Sequence, residues 1–385
     1  MRIRKGDQEL IRKQNRALVT NLLRLNGPLS RTEISERTGL APSALTRLTR
    51  GLIDEGVVIE TGKSTSNGGR PAVLLSLNPG YRQMIGVKVE RARLLAGTVN
   101  VNGEIVERTE LRFPTIPSPH EVVDGIANLA RELSTETTLG LGVSISGFID
   151  IESGTDLFTP ILGWENVSLR DPLMEMLDMP VWIENDVNAL ALAEKWYGAG
   201  AAFRHFLCIT VGEGVGLGIV IAGEIYRGAF GGAGELGHTT IDPNGPVCRC
   251  RQRGCLEMYA SDIHLSAQAT NLGLENIDAL IQLARHGDEA AKAVFREMGR
   301  YLGIGAKNVV NLLNPQAIVL GGERMDAADL FLPAFEEQVC QHSFPAEAMG
   351  LRIVPASLGA DGFVIGAATL VAADFFRVPA KEAVV

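Results

Sequence analysis

The densest group of chemically active residues in this sequence lies between positions 234 and 261. The stretch reads GELGHTTIDPNGPVCRCRQRGCLEMYAS and holds one histidine, three cysteines and two glutamates. His238 lies ten residues before Cys248, and Cys250 and Cys255 complete a CxCx4C pattern. Imidazole and thiolate are the ligands that close a tetrahedral zinc site. Because four ligands leave no coordination position open, we expect one structural zinc ion per chain.

Two other uses of these cysteines stay open. They could be free buried thiols or a thiol redox switch, although two cysteines separated by one residue would make a strained disulfide. Arg249, Arg251 and Arg253 would stabilise thiolates in either case. The chain has five cysteines, an odd number, which favours metal binding over a secreted disulfide framework.

Length and composition predict a soluble chain with several domains. A sequence of 385 residues with 46% hydrophobic content exceeds what one core usually covers, so we expect two or three domains. No run of eighteen apolar residues occurs, and the N-terminus MRIRKGDQELIRKQNR is charged. We therefore expect neither a membrane span nor a signal peptide, and a cytoplasmic location.

Charge is distributed unevenly along the chain. Residues 1–80 hold 13 Lys and Arg against 7 Asp and Glu, a net charge of +6, whereas the remainder holds 23 against 38, a net charge of −15. A basic head is thus joined to an acidic body. Such a head either binds nucleic acid or presents a solvated basic face.

The basic head has the pattern of three helices. Apolar residues at helical spacing in NRALVTNLLRLNGPLS predict a first helix that ends at NGP, with a stripe at Leu18, Leu22 and Leu25. Ser30 and Glu33 form a capping box that begins a second helix in SRTEISERTGL. A third helix is predicted in APSALTRLTRGLIDEG, with a buried stripe at Leu45, Leu48 and Leu52.

The polar face of the third helix is suited to reading DNA. Its members are Ser43, Thr46, Arg47 and Arg50. A helix, a tight turn and a second helix place the second helix in the major groove, where Thr and Arg reach base edges. We therefore expect operator DNA as a partner.

A wing is predicted after the third helix. The segments VVIET and AVLLSL read as two short strands, and GKSTSNGGRP joins them. Arg70 lies near the tip of this hairpin, where it is placed to enter a minor groove; the alternative is an ordinary flexible hairpin tip. Residues 1–80 are thus predicted to form a winged-helix DNA-binding domain.

Beyond residue 80, predicted strands and helices alternate in the manner of an α/β fold. The strands include MIGVKVE, LGLGVSIS, HFLCITVGEG and QAIVLGGE, and the helices include HEVVDGIANLARELS and NALALAEKWYGA. Two similar strand-rich openings, near Ile85 and near Phe206, indicate two related lobes with a ligand cleft between them. We expect a small lobe at 81–190 plus 361–385, and a large lobe at 191–360. The large lobe carries the metal loop, the segment 238–255 that holds the four predicted zinc ligands.

Several motifs together resemble one family. They are IGV near Gly86, IENDVNALALAE at 183–194, VGEGVGLGIVIAGEIYRGAFGGAGELGH at 211–238, the cysteine cluster at 248–257 and NPQAIVLGGE at 314–323. This set is similar to the ROK family, which contains bacterial sugar kinases and sugar-responsive repressors. The resemblance covers essentially the whole chain, because the repressor branch bears an N-terminal winged helix. It implies a two-lobed, actin-like, hexokinase-type ATPase fold and assembly as a homodimer or homotetramer.

The resemblance also implies a sugar site. In the family, the residues matching Glu235, His238 and Glu257 contact hydroxyls at the reducing end of a sugar, and those matching Asn185 and Asp186 hold hydroxyls at the other end. Carboxylates and amides suit vicinal hydroxyls. Taken by itself, Asp186 could instead be the cap of the helix that follows it.

The phosphate-binding loops depart from the kinase pattern. Family kinases read DxGGT where this chain has Lys88-Val89-Glu90-Arg91-Ala92, and GTG where it has Gly212-Glu213-Gly214. Side chains at Glu90 and Arg91 obstruct the close backbone approach, and a carboxylate at Glu213 repels ATP. We therefore expect a non-enzyme that has lost ATP binding, although the residue matching Asp186 is the general base in family kinases.

These features predict a transcriptional repressor that leaves operator DNA when a free sugar such as glucose or xylose binds between the lobes. A sugar kinase with an attached DNA-binding head is the alternative from another class. A third possibility is a repressor that senses a phosphorylated sugar or a partner protein.

Overall fold

The structure of the protein is a computed structural model that describes residues 5–63, 71–342 and 350–377. An N-terminal head of three helices and one small sheet precedes the body. Its elements are α1 (Lys5–Asn26), β1 (Leu29–Ser30), α2 (Arg31–Thr38), α3 (Pro42–Asp54), β2 (Val58–Lys63) and β3 (Val73–Leu77). The sheet has the antiparallel order β1-β3-β2. The predicted winged-helix elements are therefore present; the wing tip with Arg70 lies outside the described residues.

The helix boundaries of the head follow local sequence chemistry. The Ser30 side chain accepts a hydrogen bond from the Glu33 backbone N–H, and the Glu33 carboxylate accepts one from the Ser30 N–H at 2.8 Å. The predicted capping box is thus confirmed. Gly39 ends α2 with φ of +71°, a left-handed conformation that glycine adopts without a steric penalty.

The predicted apolar stripe of α1 is wrong at two of its three positions, because only Leu22 packs against a hydrophobic core. Leu18 and Leu25 are 41% and 60% exposed, whereas Val19 and Leu23 are buried. Val19 and Leu23 belong to a core that is formed by residues of the head and of the body together. In α3, Leu45 and Leu52 are buried as predicted, but Leu48 is only partly buried beside the buried Thr49.

The first half of the body is a mixed five-stranded sheet with a small three-stranded sheet beside it. Its elements are β4 (Gln83–Glu90), β5 (Arg93–Asn100), β6 (Ile105–Arg112), α4 (Pro119–Leu133), β7 (Thr138–Ile145), β8 (Phe148–Asp150), β9 (Thr155–Thr159), β10 (Trp164–Ser168), α5 (Arg170–Leu177), β11 (Val181–Asn185) and α6 (Asp186–Tyr197). The larger sheet has the order β11-β7-β4-β5-β6 and the smaller one β10-β9-β8.

The second half of the body contains another five-stranded sheet. Its elements are β12 (Phe206–Val211), β13 (Val215–Ile221), β14 (Glu224–Ile225), α7 (Glu257–Ala260), α8 (Asp262–Asn271), α9 (Ile277–Arg285), α10 (Glu289–Leu313), β15 (Ala317–Gly321), α11 (Ala328–His342), β16 (Arg352–Pro355) and α12 (Gly362–Phe375). The sheet has the order β14-β13-β12-β15-β16.

The two large sheets have the same topology. In each, the first three strands form an antiparallel meander, and two later strands add in parallel beside the first strand. The two predicted strand-rich openings are β4 and β12, the first strand of each sheet. The prediction of two related lobes is therefore confirmed at the level of strand order.

Helices α6 and α12 lie between the two sheets. α12 packs against β4 and β7 on one side and against α6 on the other, while α6 also packs against β12 and β13. The helices can approach closely because Gly366 has no side chain. A Cβ at this position would overlap the carbonyl oxygen of Ala189. Gly218 of β13 has a similar role, since a Cβ there would crowd the backbone of Val187. Any change in the angle between the lobes must therefore move α6 against at least one neighbour.

In the described ranges, no helix has both the length and the apolar character required to cross a bilayer.

Candidate functional site

A cavity of about 710 Å³ separates the two lobes. All five residues predicted to hold a sugar line it, and so do the four residues that depart from the kinase phosphate loops. The first group is Asn185, Asp186, Glu235, His238 and Glu257, and the second is Lys88, Glu90, Arg91 and Glu213. The fold thus brings both groups into one cleft, as is usual for ligands bound between lobes.

Asn185 and Asp186 meet the cavity at the N-terminus of α6. Asn185 is the N-cap residue, because its Oδ1 accepts hydrogen bonds from the N–H groups of Val187 and Asn188 at 2.9 and 3.2 Å. Its Nδ2 donates to the Gly147 carbonyl at 3.0 Å. The alternative that Asp186 is the cap is therefore wrong by one residue. Asp186 is buried at the first position of the helix, beside the cavity.

Lys88 forms a buried ion pair with Asp186. The ammonium donates to Asp186 Oδ2, and Lys88 is 5% exposed. The ammonium also lies 4.8 Å from the centre of the Phe363 ring, which adds a cation–π contact. Sequence reasoning placed Lys88 only among the residues that spoil a phosphate loop. The pair was not foreseen because its members lie 98 positions apart.

The opposite wall of the cavity holds Glu235 and Glu257. Glu257 is buried at the start of α7, where its Oε1 lies 3.5 Å from Arg249 Nη2. Desolvation by the surrounding protein raises the pKa of Glu235; the nearby His238 opposes the rise, and the charges of Asp186 and Glu257 add to it. Carboxyl groups at this wall can accept hydrogen bonds from sugar hydroxyls, and a protonated Glu235 could also donate one.

His238, Cys248, Cys250 and Cys255 form a compact cluster behind this wall. Their ligand atoms lie within 4.8 Å of one another. Cys248 Sγ lies 3.6 Å from His238 Nδ1, and Cys250 Sγ lies 3.5 Å from Cys255 Sγ. Zn–S bonds of about 2.3 Å in a tetrahedron would separate neighbouring sulfurs by about 3.8 Å. The cluster therefore could hold a metal ion, and all five cysteines of the chain are free thiols.

The metal loop connects this cluster to the carboxylates. Bridges between Thr240 and Cys255 and between Val247 and Arg253 close the loop on itself. His238 lies three residues after Glu235, and Cys255 lies two residues before Glu257. A metal ion bound to the loop would therefore restrict the positions of both carboxylates.

The residues that depart from the phosphate loops are engaged in ion pairs. Arg91, in the turn after β4, lies 3.5 Å from the carboxylate of Glu213 in the turn after β12. Arg249 approaches the same carboxylate at 3.8 Å, and Arg93 pairs with Glu90 at 2.7 Å. Arg249 was not predicted to contribute to the cleft, and it links the two ends of the cavity because it also contacts Glu257.

The candidate DNA-reading face lies on α3. All four described residues of this prediction, Ser43, Thr46, Arg47 and Arg50, are exposed. The Thr46 hydroxyl donates to the Pro42 carbonyl at 2.8 Å, so its oxygen remains free to accept a hydrogen bond from a base. The two arginines have no ion-pair partner within the described part of the chain. The fifth predicted residue, Arg70, falls in the gap at 64–70.

Two family profiles match this chain. The ROK family matches residues 84–374, and the winged helix-turn-helix DNA-binding family matches residues 18–59. The chain belongs to the ROK family. The predicted fold, an N-terminal winged helix followed by a two-lobed, hexokinase-type α/β body, is thereby confirmed.

Two bacterial relatives match nearly the full length of the chain. A xylose repressor of Caldicellulosiruptor bescii is 32% identical over 97% of this chain and 99% of its own length. The regulator NagC of Escherichia coli is 30% identical over 92% of this chain and 91% of its own. The first relative is named as a xylose repressor and the second as a DNA-binding transcriptional dual regulator.

Solved structures resemble either the whole chain or its body alone. A ROK transcriptional regulator described as a homologue of the E. coli MLC protein has a TM-score of 0.80 and 29% identity, covering 95% of this chain and 97% of its own. A ROK glucokinase of Streptomyces griseus, solved with glucose and AMPPNP, has a TM-score of 0.66 and 31% identity. It covers 75% of this chain and 98% of its own, so the head is what the regulator shares and the glucokinase lacks.

Proposed function

We propose that this ROK protein is a sugar-responsive transcriptional repressor that leaves operator DNA when a free sugar binds in its cleft. The proposal is supported by the presence of a DNA-reading face and a ligand cavity in one chain. An exposed face on α3 carries two arginines that have no ion-pair partner among the described residues, and the cavity between the lobes brings Asp186, Glu235 and Glu257 together. Full-length relatives named xylose and N-acetylglucosamine repressors support the same reading.

The charge of the cavity favours a neutral sugar over a phosphorylated one. Seven carboxylates line it against five cations, and each cation has a carboxylate partner. A sugar phosphate would add negative charge to this cavity, where every lining cation already has a carboxylate partner. Xylose, glucose and N-acetylglucosamine are the neutral candidates.

The same cleft argues against sugar kinase activity. Lys88 holds Asp186, the residue that would serve as general base, in an ion pair. Arg91 and Glu213 pair across the space where family kinases would bind phosphates. ATP would therefore have to break an existing ion pair and approach a carboxylate.

A structural zinc ion fits the metal loop. His238, Cys248, Cys250 and Cys255 supply one imidazole and three thiolates, which is a complete donor set for tetrahedral zinc. The ion would lend the loop rigidity and take no part in chemistry, since no ligand position is left open. Its role in sugar binding is to keep Glu235 and Glu257 in position.

Domain limits and assembly are part of the proposal. We assign 1–80 to the DNA-binding domain, 81–190 plus 361–385 to the small lobe, and 191–360 to the large lobe. The packing of α12 against β4 and β7 supports adding the C-terminal segment to the small lobe. A homodimer or homotetramer in the cytoplasm would place paired α3 helices on a two-fold symmetric operator.

Two experiments on the purified protein test these roles. A thermal-shift screen with xylose, glucose, N-acetylglucosamine and their phosphates should show a rise in Tm with an unphosphorylated sugar, because a ligand that binds only the folded state stabilises it. A rise with a phosphate alone would make the effector a sugar phosphate.

The second experiment measures affinity for an operator selected from a random DNA library. Arg47→Ala or Arg50→Ala should each cost about 1–3 kcal/mol if the residue reads a base. Arg131→Ala, at an exposed residue of α4, is the matched control and should leave the affinity unchanged. Undiminished binding by both α3 variants would show that α3 is not the reading helix.

A further inference from the structure

The DNA-binding head rests on the ends of α6 and α12, the two helices that lie between the lobes. Val19 and Leu23 of α1 share one buried core with Ala193 of α6 and with apolar residues of α12. Asn21 Nδ2 donates to the carbonyl oxygen of Phe376, just beyond α12, at 2.8 Å. The head is thus packed directly onto the body through these two helix ends.

Arg24 makes the most specific contact at this junction. Its guanidinium carbon lies 3.6 Å from the centre of the Trp196 ring, next to the last residue of α6. The Phe376 ring meets the same indole edge-on, with centroids 6.2 Å apart. A cation is favoured here by the aromatic face and by the C-terminal end of a helix.

The Arg24 guanidinium is only partly hydrogen-bonded. Burial lowers the pKa of Arg24, and its Nη1 is buried with no hydrogen-bond partner among the described residues. Leaving a charged donor unpaired costs free energy. A small shift of Trp196 therefore changes the environment of Arg24 substantially, because both the ring contact and the unpaired donor depend on it.

The other end of α6 lies in the cleft. Asn185 caps the helix and Asp186 is its first residue, and both line the cavity. The helix has twelve residues, so the two ends are separated by about 18 Å of rigid backbone. One helix therefore runs from the proposed sugar site to the surface on which the head is packed.

We propose that α6 is the element that couples sugar binding to operator binding, and that the contact between Trp196 and Arg24 is where it acts on the head. This inference rests on the proposed function and names how its two sites communicate. A sugar that contacts both Asp186 and Glu257 must bind better when the lobes are close together, and a ligand shifts an equilibrium only by such a difference in affinity. Closure moves α6 because the helix is wedged between β13 and α12. The tilt of α6 then re-orients α1 and, with it, α3.

The test is the coupling factor, defined as the ratio of operator Kd with and without a saturating probe sugar. The probe is D-xylose, or N-acetylglucosamine if that sugar gives the larger thermal shift. The native protein should show a factor within the usual allosteric range of about 5 to 150. In Arg24→Met the factor should fall to below about one third of the native value, because the stem still fills space but the cation is lost.

Three further variants make the result specific. Trp196→Leu should reduce the factor as Arg24→Met does, and Arg24→Lys should recover part of it because an ammonium can also lie over the ring. Arg300→Met is the matched control, since it removes a cation–π contact with Tyr301 on α10 and Arg300 does not line the cavity. Sugar affinity without DNA, and operator affinity without sugar, should stay within about twofold of native in Arg24→Met.

The outcomes separate the inference from the proposed function. If the native protein shows no coupling, both fall. If the native protein is coupled and Arg24→Met retains the native factor, the inference alone is overturned. A loss of operator affinity by Arg24→Met without sugar would assign Arg24 to the folding of the head or to DNA contact, and would also overturn it.

Discussion

The two ends of the inter-lobe cleft differ in how far their charged side chains are paired. At the end formed by the turns after β4 and β12, carboxylates and guanidinium groups pair with one another, as in Arg91 with Glu213 and Arg93 with Glu90. At the end formed by the metal loop, Glu235 has no ion-pair partner in the described ranges. Its pKa is raised chiefly by desolvation.

This difference indicates which end of the cleft is ready for a ligand. Polar groups that already satisfy one another gain little from a new partner, whereas unsatisfied ones gain a full hydrogen bond. Lys88 and Asp186 lie at the boundary between the two ends, where the Lys88 ammonium pairs with Oδ2 of the carboxylate. We propose that the body keeps a cleft that recognises a ligand and lacks the means to phosphorylate it.

The largest expected effect comes from breaking the metal loop. Cys250→Ser should abolish the one-to-one zinc content and lower Tm by about 10 °C or more, because a structural zinc site contributes directly to folding. Elemental analysis and thermal unfolding measure this. Cys340→Ser, at an exposed free cysteine, is the control. Well-folded native protein without zinc would contradict the assignment.

Removing a carboxylate charge at the metal-loop end of the cleft should weaken sugar binding next. Glu257→Gln keeps the shape of the side chain but removes a charged acceptor, so affinity for the sugar should fall by about 10- to 100-fold. Titration calorimetry checks this, with zinc content measured in parallel. Glu90→Gln, at the paired end, should leave sugar affinity within about twofold. Equal losses in both variants would remove the distinction between the two ends.

A smaller effect is expected at Asp156, a buried carboxyl on β9. Desolvation raises its pKa to about 6 despite a hydrogen bond from Thr159. Because the folded-state pKa lies above the unfolded value, native stability is lost as pH rises from about 4 to 6. Asp156→Asn should therefore be more stable than native by about 1–3 kcal/mol at pH 7.5, and the gain should vanish near pH 4.

Urea unfolding across this pH range measures the Asp156 effect. A constant difference between the two proteins at all pH values would show that Asp156 titrates normally. Thr159→Val is a useful control, because it removes the hydrogen bond without changing the charge of the carboxyl.

No effect at all is expected from nucleotide. With ATP, magnesium and a sugar that the protein binds, no sugar phosphate should form above background, since the loops that would hold phosphates are occupied by their own ion pairs. A coupled or radiolabel assay measures turnover. Turnover that disappears in Asp186→Asn would contradict the reading of the paired end.

Local features of the fold could be predicted from the sequence, and long-range features could not. The Ser30 capping box, the strands β4, β7, β12 and β15 and the metal cluster depend on residues close together in sequence. The ion pair of Lys88 with Asp186 depends on β4 and α6 meeting, which no spacing reveals. The all-round apolar α12 was missed because a helix buried on every side shows no helical period. The α1 stripe was misplaced at Leu18 and Leu25 because the core that buries Val19 and Leu23 is assembled from elements far apart in sequence.

Sugar bound in the cleft and operator DNA bound to the head should each weaken the binding of the other. The decisive measurement is fluorescence anisotropy of operator DNA with and without the best sugar from the thermal screen, for the native protein and Glu257→Gln. Sugar should weaken operator binding by the native protein by about 5- to 150-fold, whereas Glu257→Gln should bind operator normally and ignore the same sugar concentration. An unchanged operator affinity in the native protein would contradict coupling between the two sites, and tighter binding would make the sugar a co-repressor.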